Sequence, residues 1–228
     1  MTKKVILATH CPTNSVESFY AHSLAESVKL LIVNDIIPIP VMVNDIPSSI
    51  VAKNEIVSMV ADQDFDSIVF IGHDIIWDPS ALLTLINNTH HASALPCAKK
   101  SGTNVKFDVE IGPEISRDDS GYIKVNYTSS SFFKLSKQLI TELSDTSLSI
   151  KNETGREVKN IFDINTTYGQ YFNEDVVLCN KIRELGHQVW LNPISTCAHS
   201  AGNIYAADFA ANLMARPSTD TAVKDLYA

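Results

Sequence analysis

The sequence predicts an α/β fold, a single domain on a mostly parallel sheet with a smaller antiparallel elaboration, and three features say so. Short apolar runs recur at residues 4–9, 39–43 and 67–71, each bounded by turn residues. Longer stretches with helical spacing separate them. Beyond Leu95 the rhythm changes to polar, alternating segments such as VKFDVEIG and YIKVNY. Strands alternating with helices at this spacing imply a largely parallel sheet with helices on both faces.

Each element follows from local signals. Residues 4–9 read as a buried first strand ending in the turn-like HCPTNS. Residues 15–31 place Phe19, Leu24, Val28 and Leu31 roughly on one helical face. The second strand, 39–43, breaks at Asn44-Asp45-Ile46-Pro47, and residues 48–60 are helical in pattern with Ser48 or Ser49 as the cap. After the third strand, Asp78 caps a helix that begins at Pro79, where a missing N–H is harmless. Residues 100–128 suit antiparallel strands or a hairpin around Asp118-Asp119-Ser120-Gly121. A helix is expected over 131–143, a mobile loop over 144–168, a helix over 174–185 closed by Gly186, and a strand over 188–191. The polar tail from Arg216 is expected to be loosely attached.

Composition narrows the function classes. The chain has 228 residues, 45% hydrophobic and 19% charged, enough for a substantial core and unlike a disordered protein. The net charge of −8 disfavours a protein whose main task is gripping nucleic acid, although residues 99–159 carry 10 basic and 9 acidic side chains. Glycine-rich phosphate loops are absent: there are 8 glycines, and neither G-x-G-x-x-G nor G-x-x-x-x-G-K-[ST] occurs. Four cysteines without a Cys-x-x-Cys spacing read as free thiols. No run approaches the ~20 continuous apolar residues of a membrane helix, and VILA is too short for a signal-peptide core. A cytoplasmic protein without membrane insertion is expected, in the host cytoplasm if the chain is viral.

The residues that can carry chemistry are few. The third strand delivers His73 and Asp74 to its carboxyl end, where ligands bind in open parallel sheets. A turn aspartate bonding its own backbone is an equally common reading of Asp74. Glu174 and Asp175 open a helix behind Asn173, and acids there also complement the helix dipole, by ~0.3–1 kcal/mol each. His199 stands in the small-residue stretch 195–202, which leaves room for a ligand or metal. Lys99-Lys100 can meet phosphate or form a solvated pair, and His10, His90 and His91 have no partner at metal spacing.

Taken in order, ATHCP, VAKNEIV, FIGHDIIWDPSALLTLI, LPCAKK, SSSFFKLSK and NEDVVLCNKIRELGHQVWLNPISTCAHSAGNIY form a pattern. The chain resembles compact A-type-fold (GT-A) glycosyltransferases, notably the small versions of bacteriophages and bacteria. The resemblance spans most of residues 4–208 and is most specific over 172–205. It implies one domain over 1–215, with a nucleotide-binding half (1–98) and an acceptor and metal half (99–215), followed by the tail 216–228. It implies a nucleotide-sugar donor and a Mn²⁺ or Mg²⁺ cofactor. Asp74 and His199 are then the metal ligands, Asp175 or else Glu174 the general base, and Thr9, Cys11, Asn54, His73 and Lys100 the donor contacts. The family's Asp-x-Asp motif reads here Gly72-His73-Asp74, without the first acid. The implied acceptor is a hydroxyl, on a glycan, a protein or a hydroxymethylated DNA base, and a single positioned base implies inversion. The departure at Gly72 leaves a second expectation, a non-catalytic sugar-nucleotide or glycan-binding protein on a decayed transferase scaffold. A nucleotidyltransferase is a third, which TCAHSAG fits poorly.

Overall fold

The computed structural model describes residues 2–99, 106–152, 154–167, 170–200 and 202–215. The expected tail from Arg216 lies outside them, as does Lys100. The amino-terminal half alternates strand and helix: β1 (Lys3–Cys11), α1 (Ser18–Val33), β2 (Ile36–Asn44), α2 (Ser49–Val60), β3 (Ser67–Ile71), the short β4 (Ile75–Ile76), α3 (Pro79–Asn87) and β5 (Ala92–Ala94). Then follow β6 (Val109–Glu110), β7 (Ile123–Val125), β8 (Tyr127–Thr128), β9 (Phe132–Ser136) and α4 (Lys137–Thr146). The remainder is β10 (Ser149–Lys151), β11 (Glu157–Lys159), β12 (Asn165–Thr167), β13 (Gln170–Phe172), α5 (Glu174–Glu184), β14 (Val189–Leu191), β15 (Ala198–Ser200), β16 (Ile204–Tyr205) and α6 (Phe209–Met214).

A seven-stranded sheet in the order β2-β1-β3-β9-β5-β14-β7 forms the middle layer. Its β1–β2, β1–β3 and β5–β14 pairs are parallel, while β9 runs antiparallel to both neighbours and β7 antiparallel to β14. The inner strands β1, β3, β5 and β9 are buried on both faces, as a parallel sheet sandwiched by helices requires, whereas the edge strand β2 is partly exposed. Along β1 the side chains alternate: Val5 and Leu7 enter the core with α1 and α3, whereas Ile6 and Ala8 enter the core with α2, α4 and α5.

Three expectations change. Residues 131–143 are not one helix. Phe132, Phe133, Lys134 and Leu135 are all buried in the strand β9, and the helix starts only after Ser136, whose hydroxyl accepts from the Leu139 amide at 3.2 Å. Residues 144–168 are largely built rather than loop: α4 runs on to Thr146, and β10–β11 and β12–β13 are antiparallel pairs. Asn152 organises the first hairpin, its Oδ1 accepting from the amides of Thr154 (3.1 Å) and Arg156 (2.8 Å), and Gly155 takes a φ of +80° in the turn. The buried face of α1 is Tyr20, Ser23, Ser27 and Leu31, with Phe19 48% exposed. The serines make room for Trp77: its indole N–H donates to Ser27 Oγ at 2.8 Å, and the Ser23 hydroxyl donates to its carbonyl at 3.0 Å. Apolar periodicity cannot find a helix face chosen by hydroxyls and small volume. Among the described residues no helix is long and apolar enough to cross a membrane.

Candidate functional site

At the carboxyl end of the sheet lies a cleft of about 200 Å³. Its floor is the turn that follows β3. The Gly72 amide donates to the Ser131 carbonyl at 2.9 Å, and the Ile75 amide returns to the Gly72 carbonyl at 3.1 Å. The turn leaves Asp74 6% exposed at the cleft wall. Next to it, β4 pairs with β15 so that His199 lies opposite Ile75, and the Ser200 amide donates to the Asp74 carbonyl at 2.8 Å. Two stretches 125 positions apart thereby set Asp74 and His199 on one wall.

The His199 Nδ1 lies 2.6 Å from the Ala98 carbonyl oxygen. A carbonyl only accepts, so Nδ1 carries a proton. Holding one nitrogen this way is how proteins orient a metal-binding imidazole. Among the described residues there is no group of three or more His, Cys, Asp or Glu arranged for a metal. Asp74 and His199 offer two ligands, an oxygen and an imidazole, a set that fits an open site on a borderline-hard divalent cation.

The opposite wall is the amino-terminus of α5. Asn173 caps it by accepting from the Val176 amide at 3.1 Å, so Glu174 and Asp175 occupy the first turn and face the cleft. Asp175 Oδ1 accepts from the Ser130 amide at 2.9 Å and from the Ser130 hydroxyl. Burial pushes the Asp175 carboxyl above its ordinary value, and the Lys53 ammonium and the Ser130 bonds only partly oppose that. Glu174 goes the other way. Burial raises it too, but the bond from the Ser49 hydroxyl and the nearby Lys53 charge bring it below the usual carboxylate range. Lys53 Nζ sits 3.6 Å from Glu174 Oε1 and donates to Ser130 Oγ at 2.6 Å. One ammonium therefore joins both carboxylates, directly to Glu174 and through Ser130 to Asp175. Neighbouring carboxyls with acidities pushed apart suit an ionised anchor beside a proton acceptor.

His10 completes this side. Its Nε2 lies 2.6 Å from the Ile46 carbonyl oxygen, so that nitrogen carries the proton. Burial, with Lys53 and His73 nearby, pushes its pKa down, and the ring is neutral at physiological pH.

Of the residues singled out in the sequence, Asp74, His73, Glu174, Asp175 and His199 line this one cleft. Thr9, Cys11 and Asn54 do not. Thr9 is fully buried with its hydroxyl on the Tyr20 hydroxyl, and Cys11 is 1% exposed. Asn54 is turned inward to hold the backbone of Phe162, donating to its carbonyl and accepting from its amide, each at 2.9 Å. Lys99 pairs with Asp108. The cleft residues that sequence reasoning missed are Lys53, Ser130, Ser49 and His10. A signal existed for Lys53, which lies inside VAKNEIV one position before Asn54.

No family model matches the sequence, and no curated protein matches it. Solved structures do share its architecture. GalNAc-T7, solved with UDP, GalNAc and Mn²⁺, superposes with a TM-score of 0.51 at 10% identity over 87% of this chain and 44% of that one. This chain thus spans under half the length of that protein. The inositol-1-phosphate CTP transferase of T. maritima covers 94% of this chain and 95% of its own at 14% identity, with a TM-score of 0.42. The 4-diphosphocytidyl-2C-methyl-D-erythritol synthase of Anaerococcus prevotii also gives 0.42, at 8% identity over 94% and 100%. The likeness to GalNAc-T7 establishes the fold, a mostly parallel α/β sheet of the GT-A, Rossmann-like kind, and no more.

Proposed function

We propose that this chain is a metal-dependent glycosyltransferase that moves a sugar from a nucleotide-activated donor to a hydroxyl acceptor. The observation that carries this reading is the cleft at the sheet's carboxyl end, with two carboxylates of split acidity facing an aspartate and an oriented histidine. Asp74 and His199 would hold Mn²⁺ or Mg²⁺, which supplies charge neutralisation for the departing diphosphate. The fold's likeness to a protein solved with UDP, GalNAc and Mn²⁺ agrees with that assignment without identifying the donor.

Asp175 is the general base. Burial raises its pKa, so a proton taken from an acceptor hydroxyl is held more strongly than by an ordinary carboxylate. Ser130 fixes one oxygen of that carboxylate, leaving Oδ2 for the acceptor. Glu174, kept ionised by Ser49 and Lys53, is suited to bind sugar hydroxyls. His73 lies where donor phosphates or sugar would pass, and Lys100 remains a candidate donor contact from the sequence. One positioned base implies inversion at the anomeric carbon. The acceptor is a glycan or a hydroxymethylated DNA base, the latter working against the net charge of −8.

Gly72 bears on the alternative, a binding protein on a decayed scaffold. A Cβ built there would stand 3.1 Å from Ile75 Cγ1 and 3.4 Å from Asp74 Oδ1, and Ile75 is fully buried. The glycine is fitted to its turn, which favours a working variant of the motif. The test is release of nucleoside diphosphate from a panel of nucleotide sugars with Mn²⁺ and glycan or hydroxymethylated-DNA acceptors. Turnover that Asp175→Asn abolishes, with donor binding retained, is expected. Full turnover in that variant removes Asp175 as base, and no turnover with any donor in the native protein supports the binding-protein reading.

A further inference from the structure

We propose that Cys97 and Cys197 form a dithiol site that closes to a disulfide, making the attachment of the His199 strand redox-dependent. The two residues are a hundred positions apart in sequence and opposite each other in a parallel bridge. Backbone bonds lace the same spot: the Cys197 amide donates to the Pro96 carbonyl at 2.9 Å and the Ala98 amide to the Cys197 carbonyl at 3.2 Å. Adjacent strands lie about 4.7–4.9 Å apart, inside the ~4.4–6.8 Å Cα window of disulfides, and paired residues point to the same face. Both side chains are buried, and the Cys97 S–H points to the Leu95 carbonyl at 3.7 Å.

This pair stands apart from the cleft residues but holds one of them in place. Ala98, the neighbour of Cys97, supplies the carbonyl that orients His199, two residues beyond Cys197. A covalent link would tie segment 96–98 to 197–199, which hydrogen bonds join now. The other two cysteines, Cys11 and Cys179, are buried elsewhere, and the Cys179 thiol points to the Thr128 carbonyl at 3.9 Å.

The oxidant is a small disulfide such as oxidised glutathione. Cys97, 5% exposed against 1% for Cys197, attacks one glutathione sulfur and releases one glutathione thiol. The Cys197 sulfur then displaces the second glutathione from Cys97. The two cysteine protons end on the released thiols, and glutathione disulfide takes both electrons. The step does not depend on the proposed transferase activity.

The experiment compares native protein, Cys97→Ser and Cys197→Ser, each equilibrated folded, and separately refolded from denaturant, in oxidised and reduced glutathione. Refolding lets oxidant reach the buried thiols and separates access from geometry. In the oxidised buffer the native chain should lose two of its four thiols and the mass of two hydrogens. Peptide mapping should join Cys97 to Cys197, and dithiothreitol should reverse the link. Closing a loop of about 100 residues should raise Tm on the order of 5–15 °C, a rise absent from both serine variants. Four thiols persisting after oxidative refolding, a link through Cys11 or Cys179, or an oxidised protein no more stable than the reduced one would overturn the proposal.

Discussion

Replacing Asp175 by asparagine keeps the shape of the side chain and takes away its charge. The carboxylate engages Ser130 through one oxygen, which accepts from the amide at 2.9 Å and from the hydroxyl. An amide oxygen accepts both bonds, so the local geometry survives. What the substitution removes is the need to keep a carboxylate ionised away from water, the cause that raises this group's pKa above the ordinary aspartate value. A carboxyl raised on folding contributes its full stability when protonated, below the unfolded pKa. That contribution is lost as pH rises through the folded pKa, so at neutral pH the native protein carries a penalty that the asparagine lacks. Removing an activity-driven strain of this kind typically stabilises by about 0.5–2 kcal/mol. The lost attraction to Lys53 subtracts little, because Lys53 keeps Glu174 at 3.6 Å. For 228 residues the gain is a Tm rise of roughly 1–8 °C at pH 7. Thermal melts of both proteins from pH 4 to 8 should show the difference growing with pH and closing in acid. A variant less stable at pH 7, or a pH-independent difference, would refute the reasoning.

Gly72→Ala forces a Cβ to 3.1 Å from Ile75 Cγ1 in a filled core and should destabilise by about 1–3 kcal/mol in denaturant unfolding; Gly72→Asp should lose activity rather than gain it, whereas a large gain would mark a decayed site. Lys53→Met removes the charge that holds both carboxyls down, so the acid limb of the pH–rate profile should move to higher pH; an unmoved limb would detach Lys53 from the pair. Glu174, depressed on folding, contributes stability that is present above the unfolded glutamate pKa and lost as pH falls through its folded value. In Lys53→Met that loss should begin at higher pH, which acid unfolding monitored by circular dichroism will report. His199→Ala should weaken Mn²⁺ binding about tenfold or more while the fold, read by the same dichroism, is kept.

Much of the fold was legible because its signals are local. The cap Asp78 before Pro79, Ser48 before α2 and Asn173 before α5 each announce a helix start in a few residues. Strand β9 was not legible: its run of buried residues, flanked by hydroxyls, reads equally as the start of α4, and only its place between β3 and β5 decides. The hairpins after α4 were hidden by polar composition, although the turn of the first is held by one asparagine side chain. In the cleft, Asp74, Glu174, Asp175 and His199 were visible as acids and a histidine at element ends. Asn54, the position expected to face the donor, holds the Phe162 backbone while its neighbour Lys53 faces the cleft, and one residue on a helix turns a side chain by about 100°. That rotation decides between the cleft and the core, and no pattern in the sequence fixes it. The contact of Cys97 with Cys197 likewise depends on pairing across a hundred residues.

The most direct test of the account is a thermal-shift titration of the native protein with nucleoside diphosphates and nucleotide sugars, with and without Mn²⁺. The account predicts stabilisation by one nucleotide class only when the cation is present, lost in both Asp74→Asn and His199→Ala. Stabilisation that ignores the cation, or no response to any nucleotide, would contradict it.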